Sequence, residues 1–171
     1  MALSHQPVRL ASKPGSEASP SRVLHTQPVR IYFEDTDAGG IVYHASWLRF
    51  FERARTDWLR SLGITQSRLQ TDAGLGFVVR RLMIDYLRPA KLDDEVLVDV
   101  RLLALGRASL TLAQSATLMP RGTVLVTAQV QVAAIRTDSG KPAALPAPLL
   151  TQLAQLRDGG TDRVQSSGAA Y

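Results

Sequence analysis

Residues 34–44 read EDTDAGGIVYH, which places Glu34, Asp35 and Asp37 within four positions, followed by Gly39, Gly40 and His44. A carboxylate can attack a carbonyl held beside it, or deprotonate a water that does. Two adjacent glycines let backbone and substrate approach closely. A helix start follows shortly, in SWLRFFERARTDWLRSLG (46–63), and the first N–H groups of a helix lack partners within it. Those groups, with the positive end of the helix dipole, can receive a developing oxyanion. An acid beside such donors can transfer an acyl group to water, and a thioester suits it. A thiol has a pKa of about 8.5, so the thiolate leaves without strong acid assistance. The competing reading is structural. Asp35 and Asp37 then serve as turn residues bonding to local backbone, and His44 packs or caps. Spacing alone favours this structural reading, and the position of the turn between a strand and the start of the main helix shifts the balance.

Other chemistries find no support. There is no cysteine, which removes disulfides, thiolate nucleophiles and cysteine metal sites. Two of the three histidines fall in the N-terminal arm, so a histidine metal site has no ligands to draw on. Gly74-Leu75-Gly76 lacks the third glycine of a dinucleotide fingerprint, and Ser139-Gly140-Lys141-Pro142 lacks the upstream glycine and hydroxyl of a phosphate loop. No G-x-S-x-G elbow occurs. The net charge of +5, from 20 basic and 15 acidic side chains, is scattered and has no aromatic-rich basic stripe. That argues against a nucleic-acid groove but allows a few phosphate contacts.

The elements that must position the acid follow from periodicity. PVRIYFE (28–34) alternates as a strand. In the helix, Ser46 can cap and Gly63 can stop, while Trp47, Leu48, Phe50, Phe51, Ala54, Trp58, Leu59 and Leu62 form an apolar arc. Arg55 projects into that arc and needs a partner, for which Asp35 and Asp85 are the candidates. A short helical patch (66–73) leads to four strands: 76–89, long with mixed faces that imply a bulge, then 94–106, 109–119 and 123–136. Successive strands should pair antiparallel, with a last amphipathic helix (146–157) outside. The expected fold class is α+β, one long helix wrapped by an antiparallel sheet. The composition, 45% hydrophobic and 20% charged, suits one globular domain at 28–157, with disordered segments at 1–27 and 158–171. No signal-peptide core and no membrane-length apolar run is present, which with the absence of cysteine fits a cytoplasmic chain. Peripheral membrane association is left open.

The stretch RIYFEDTDAGGIVYHASWLRFFERAR resembles the hotdog-fold acyl-CoA thioesterases of the 4-hydroxybenzoyl-CoA type, nearest the Tol–Pal-linked YbgC branch. The likeness continues through FVVRRLMIDYLRPAKLDDEV and LGRASLTL to the AALP region. It implies a hotdog fold and hydrolysis of acyl-CoA to free acid and CoA, with no cofactor beyond the CoA of the substrate. The family's catalytic aspartate falls on Asp37, and its oxyanion donor falls on the backbone N–H around His44, whose side chain would orient water or substrate. Gly40, Val42 and Tyr43 come with the motif as substrate-binding positions. Glu52 matches an acid common in the branch, and with Arg55 is a supporting position. Arg107 and Ser109 become candidates for phosphate contacts. The family's dimers join sheets edge to edge with sites at the subunit boundary, so Val78, Val79 or Arg80 would border the neighbour's acyl pocket. A homodimer or homotetramer is implied, with acyl carrier protein as a further partner to consider.

Two rivals remain at this level. A hotdog hydratase needs an acid–base pair over a β-carbon, and no matching His–Glu placement is visible apart from His44. The other is a non-catalytic or weakly catalytic scaffold, binding acyl groups or acyl carrier protein in envelope or phospholipid metabolism. The intact D-T-D motif argues against it.

Overall fold

The computed structural model describes residues 22–157. The tail at 158–171 and most of the arm therefore lie outside the described residues. The first strand, β1 (His25–Arg30), starts earlier than the expected Pro28 and ends earlier too, because Phe33–Asp35 turn as a short 3-10 helix. Pro28 is tolerated because β1 is an edge strand, where a missing N–H interrupts no central ladder.

Helix α1 (Ser46–Ser61) buries Trp47, Phe50, Phe51, Ala54, Trp58 and Leu59, the i, i+3, i+4, i+7 pattern of one helical face. Each large side chain there contributes roughly 1.5–3 kcal/mol of transfer free energy. Leu48, expected in the arc, is exposed, and Leu62 is only half-buried. Gly63 ends the helix in the left-handed region (φ +78°), where its N–H donates to Arg60 O at 2.9 Å and the Ile64 N–H to Leu59 O at 2.9 Å. This is a Schellman closure, and it uses glycine because a side chain would strain that φ.

Helix α2 (Gln66–Ala73) leads into β2 (Leu75–Tyr86), followed by β3 (Glu95–Leu105), β4 (Ser109–Leu118), β5 (Thr123–Arg136) and α3 (Ala147–Arg157). All pairs are antiparallel and the sheet order is β1-β3-β4-β5-β2. Consecutive pairing holds for β3, β4 and β5, as expected. β2 instead crosses to the far edge and pairs with β5, a long-range choice that turn signals do not encode. Its expected bulge is present as a register shift between Val79 and Arg81.

One face of the sheet meets α1. Val96, Val98, Val100 and Leu102 on β3, Leu110, Leu112 and Ala116 on β4, and Val126, Ala128, Val130 and Val132 on β5 share a single core with the helix. Helix α3 is no outer cover. Its Leu149 and Leu153 are buried in the same core, and Gln152 Nε2 donates to Leu62 O at the end of α1. This is the hotdog arrangement. No helix among the described residues is long and apolar enough to cross a membrane.

Candidate active site

The two aspartates of D-T-D have separate fates. Asp35 is buried at 3% exposure, and its Oδ2 accepts the Tyr32 N–H at 3.0 Å. Its Oδ1 lies 3.5 Å from Arg49 Nη2. The Asp35 carbonyl accepts the Tyr43 N–H at 2.8 Å and the Ser46 hydroxyl at 3.2 Å. Asp35 therefore ties the chain before the turn to the chain entering α1. Asp37 is exposed. Its Oδ1 accepts the Gly39 N–H at 2.8 Å, so one oxygen is held by the turn and the other is available.

The turn itself is closed by Gly40 N–H to Asp37 O and by Asp37 N–H to Ile41 O, each at 2.9 Å. Gly40 sits at φ +71° with nothing within 4 Å of where a Cβ would stand. Backbone conformation, and not crowding, requires glycine there. Val42 donates to Ala90 O at 2.9 Å and buries its side chain in the core, so only its backbone faces the loop. Tyr43 is exposed, and its carbonyl accepts the Ser46 N–H at 2.8 Å.

Helix α1 opens without a side-chain cap. The cap residue is Ala45, and the expected cap, Ser46, is the first helical residue. The Ser46 hydroxyl is committed to Asp35 O and to Arg49 Nη2, which donates to it at 3.0 Å. Among the described residues, no acceptor meets the N–H of His44 or Ala45. These donors stand at the start of α1, next to the positive end of the helix dipole. The His44 ring is exposed, 4.4 Å from the Tyr43 ring and 6.3 Å, edge-on, from that of Tyr86. The Tyr86 hydroxyl donates to the His44 carbonyl at 3.1 Å.

The remaining predicted residues lie elsewhere. Strand registers put Arg30, Glu95, Leu118 and Tyr86 at one end of the sheet, with the D-T-D turn. Val78 and Val79 pair with Ala133 and Val132 toward the other end, where Ser109 pairs with Ala133. Nine residue steps along β4 correspond to about 30 Å. Arg107 is exposed in the turn before β4, its carbonyl accepting the Leu145 N–H at 2.9 Å. One chain therefore does not bring Asp37 together with Val78, Val79, Arg107 or Ser109. The cavity with Val78 and Val79 in its wall also contains Glu52 and Arg55, and Asp37 is not part of it.

Arg55 corrects an expectation. Its partner is neither Asp35, which Arg49 engages, nor Asp85. Nη1 donates to Gln114 Oε1 at 2.7 Å. Burial pushes its pKa down, and the nearby Glu52 charge offsets part of that. Glu52 itself is exposed, accepting the Thr56 hydroxyl at 2.8 Å.

A model of the thioesterase-like superfamily matches residues 31–153, most of the chain. The chain belongs to that superfamily. This thioesterase-like protein is 47% identical over 119 residues to the acyl-CoA thioesterase YbgC of Haemophilus influenzae, spanning 70% of this chain and 86% of that one. It is 39% identical over 132 residues to the acyl-CoA thioester hydrolase YbgC of Escherichia coli, spanning 77% and 97%. The crystal structure of a probable thioesterase from Bartonella henselae superposes with a TM-score of 0.66 at 38% identity, over 71% of this chain and 98% of that one. The likeness to the YbgC branch drawn from the D-T-D motif therefore holds.

Sequence reasoning missed three residues around this thioesterase-like site: Tyr86, Arg49 and Gln114. Gln114 is a lone polar residue on the apolar face of its strand, a signal that could have found it. Tyr86 carried no comparable signal, since its hydroxyl acts across 42 positions of sequence, and Arg49 lay on the polar side of the helix.

Proposed function

We propose that the protein hydrolyses acyl-CoA thioesters. The observation that carries this is Asp37, anchored through one carboxylate oxygen by Gly39 N–H, in the loop that runs into α1, where the N–H groups of His44 and Ala45 meet no acceptor among the described residues. The thioester carbonyl oxygen sits on those N–H groups, which stabilise negative charge as the carbonyl carbon is attacked. Asp37 acts in one of two ways. As nucleophile it forms an acyl anhydride and releases CoA thiolate, and water then cleaves the anhydride. As general base it takes a proton from water, whose oxygen attacks the carbonyl directly. Both end in free acid and CoA.

The protein works as a homodimer or a larger assembly containing that dimer. β2 is an edge strand whose outer side pairs with no other strand among the described residues, and Val78, Val79 and Met83 are 41%, 53% and 51% exposed along it. Pairing two such edges antiparallel sets the Tyr86 end of one chain beside the Val78 end of its partner. The D-T-D turn then faces the partner's Val78 and Val79 as acyl-binding wall, and Gly40 and Tyr43 border the thioester. Arg107 and Ser109 lie at the same end as those valines, positioned for the CoA phosphates. His44 orients water or substrate from the helix start. The relatives named acyl-CoA thioesterase support the substrate class.

The test is Asp37→Asn in the purified chain, assayed over short, long and aromatic acyl-CoAs. Thioester cleavage should fall by roughly 10²–10⁴, with acyl-CoA binding and the melting temperature retained. Full turnover in this variant removes Asp37 from the mechanism.

A further inference from the structure

The outer edge of β2 carries two charges arranged for a two-fold axis. Past the bulge, Arg81, Met83 and Asp85 pair with Gln131, Gln129 and Thr127 of β5. They stand on the sheet face away from α1, since the alternate β5 residues Val126, Ala128 and Val130 are the ones buried in the core. All three are exposed. The groove beside Arg81 and Met83 is completed by Thr111, Gln129 and Gln131, none of them charged. Neither Arg81 nor Asp85 enters an ion pair among the described residues. Four steps of strand separate the two by about 13 Å, too far for them to pair within one chain.

Symmetry turns this spacing into a choice of register. When two copies of a strand pair antiparallel about an axis perpendicular to the sheet, residue i lies opposite residue j, and j opposite i. Side chains keep their face only if that axis passes through a residue. An axis at Arg81 or at Asp85 sets like charges directly opposite, which is destabilising. An axis at Leu82 sets Arg81 opposite the second copy's Met83, and an axis at Ile84 sets Asp85 there. An axis at Met83 sets Arg81 opposite Asp85 and Asp85 opposite Arg81, with the two methionines meeting at the centre. Of positions 81–85, Met83 alone places a counter-ion opposite both charges.

We propose that the edge-to-edge dimer is registered on Met83, with Arg81 of each copy paired to the partner's Asp85. The register rests on the dimer proposed above and is independent of the chemistry at Asp37. It pairs residues 80–86 of the two strands. The partner's Arg80, which the bulge leaves without a partner on β5, then lies opposite Tyr86, whose hydroxyl holds the His44 carbonyl at 3.1 Å. Moving the axis by one residue moves the partner by two, about 7 Å. The charge pair therefore selects which of the partner's residues reach the helix start.

The chain has no cysteine, so introduced cysteines read the register directly. A disulfide needs Cα atoms within about 7 Å, and directly opposite residues are about 4.5–5.5 Å apart. On oxidation of the full chain, Met83→Cys should cross-link to itself. Arg81→Cys and Asp85→Cys should each stay uncrosslinked alone and cross-link when mixed. In sedimentation equilibrium, Arg81→Glu should weaken dimerisation roughly tenfold, and adding Asp85→Arg should restore it. A dimer that cross-links through Leu82→Cys or Ile84→Cys and not through Met83→Cys overturns the register, as does a dimer unchanged by Arg81→Glu. Either result leaves the dimer and the thioesterase reading standing. A wild-type chain that sediments only as monomer removes both the dimer and its register. If Met83→Cys loses its cooperative melt, the charge swap decides.

Discussion

The Arg55 guanidinium ends on the side-chain amide of Gln114, Nη1 to Oε1 at 2.7 Å, across 59 positions of sequence. The amide satisfies one donor, the nearby Glu52 charge offsets part of the cost of burial, and Gln114 is itself buried at 2% exposure. Removing either partner strands the other. Arg55→Met and Gln114→Leu should each cost about 1–3 kcal/mol. The double variant should cost less than their sum by at least about 0.5 kcal/mol. Strict additivity in urea denaturation would show that the two side chains are independent.

Asp35 and Asp37 should separate stability from turnover. Asp35→Ala removes the acceptor of Tyr32 N–H and the partner of Arg49, and should lower stability by about 1–3 kcal/mol. Asp37→Asn, at an exposed position, should stay within about 0.5 kcal/mol of wild type while losing activity. Thermal melts and thioester assays on both variants read this directly. A large stability loss in Asp37→Asn would return it to the role of turn former.

Tyr86 should act as a positioning residue. Its hydroxyl holds the His44 carbonyl, and a bonded carbonyl makes the N–H on the same peptide, that of Ala45, a better donor. Burial holds the Tyr86 pKa above its ordinary value, which favours the protonated hydroxyl as donor. Tyr86→Phe should lower kcat by up to roughly tenfold, with KM for acyl-CoA nearly unchanged. A rise in KM at constant kcat would make Tyr86 a substrate contact.

His25 should give stability a pH dependence. Burial holds its imidazole below the ordinary pKa, Asp57 offsets part of that, and its Nε2 is buried with no hydrogen-bond partner among the described residues. The unfolded chain takes up this proton near pH 6.5, and the folded chain only at lower pH. The contribution of neutral His25 is therefore present above about pH 6.5 and is lost as pH falls toward the folded value. His25→Gln should flatten that part of the profile of melting temperature against pH. Superimposable profiles for the two proteins would show that His25 does not titrate differently on folding.

Much of the fold was legible because its elements are locally encoded. The buried positions of β3, β4 and β5 are the ones that alternate in sequence, and the mixed faces of β2 marked a real bulge. Where reading failed, packing and side-chain bonding had departed from the local pattern. Ser46 looked like a helix cap, but Asp35 and Arg49 engage its hydroxyl. Leu48 fitted the apolar arc by period, yet its part of the helix start is uncovered.

The sequence by itself determined the acidic glycine turn, the helix that follows, the alternating strands and the family, because each is written in neighbouring residues. Only the tertiary structure decided that Asp35 is spent on holding the loop while Asp37 keeps a free oxygen. It also placed β2 at the far edge of the sheet, and so Val78 and Val79 at the end away from Asp37. Those outcomes depend on which residues meet after the chain crosses the sheet, and such contacts leave no period in the local sequence.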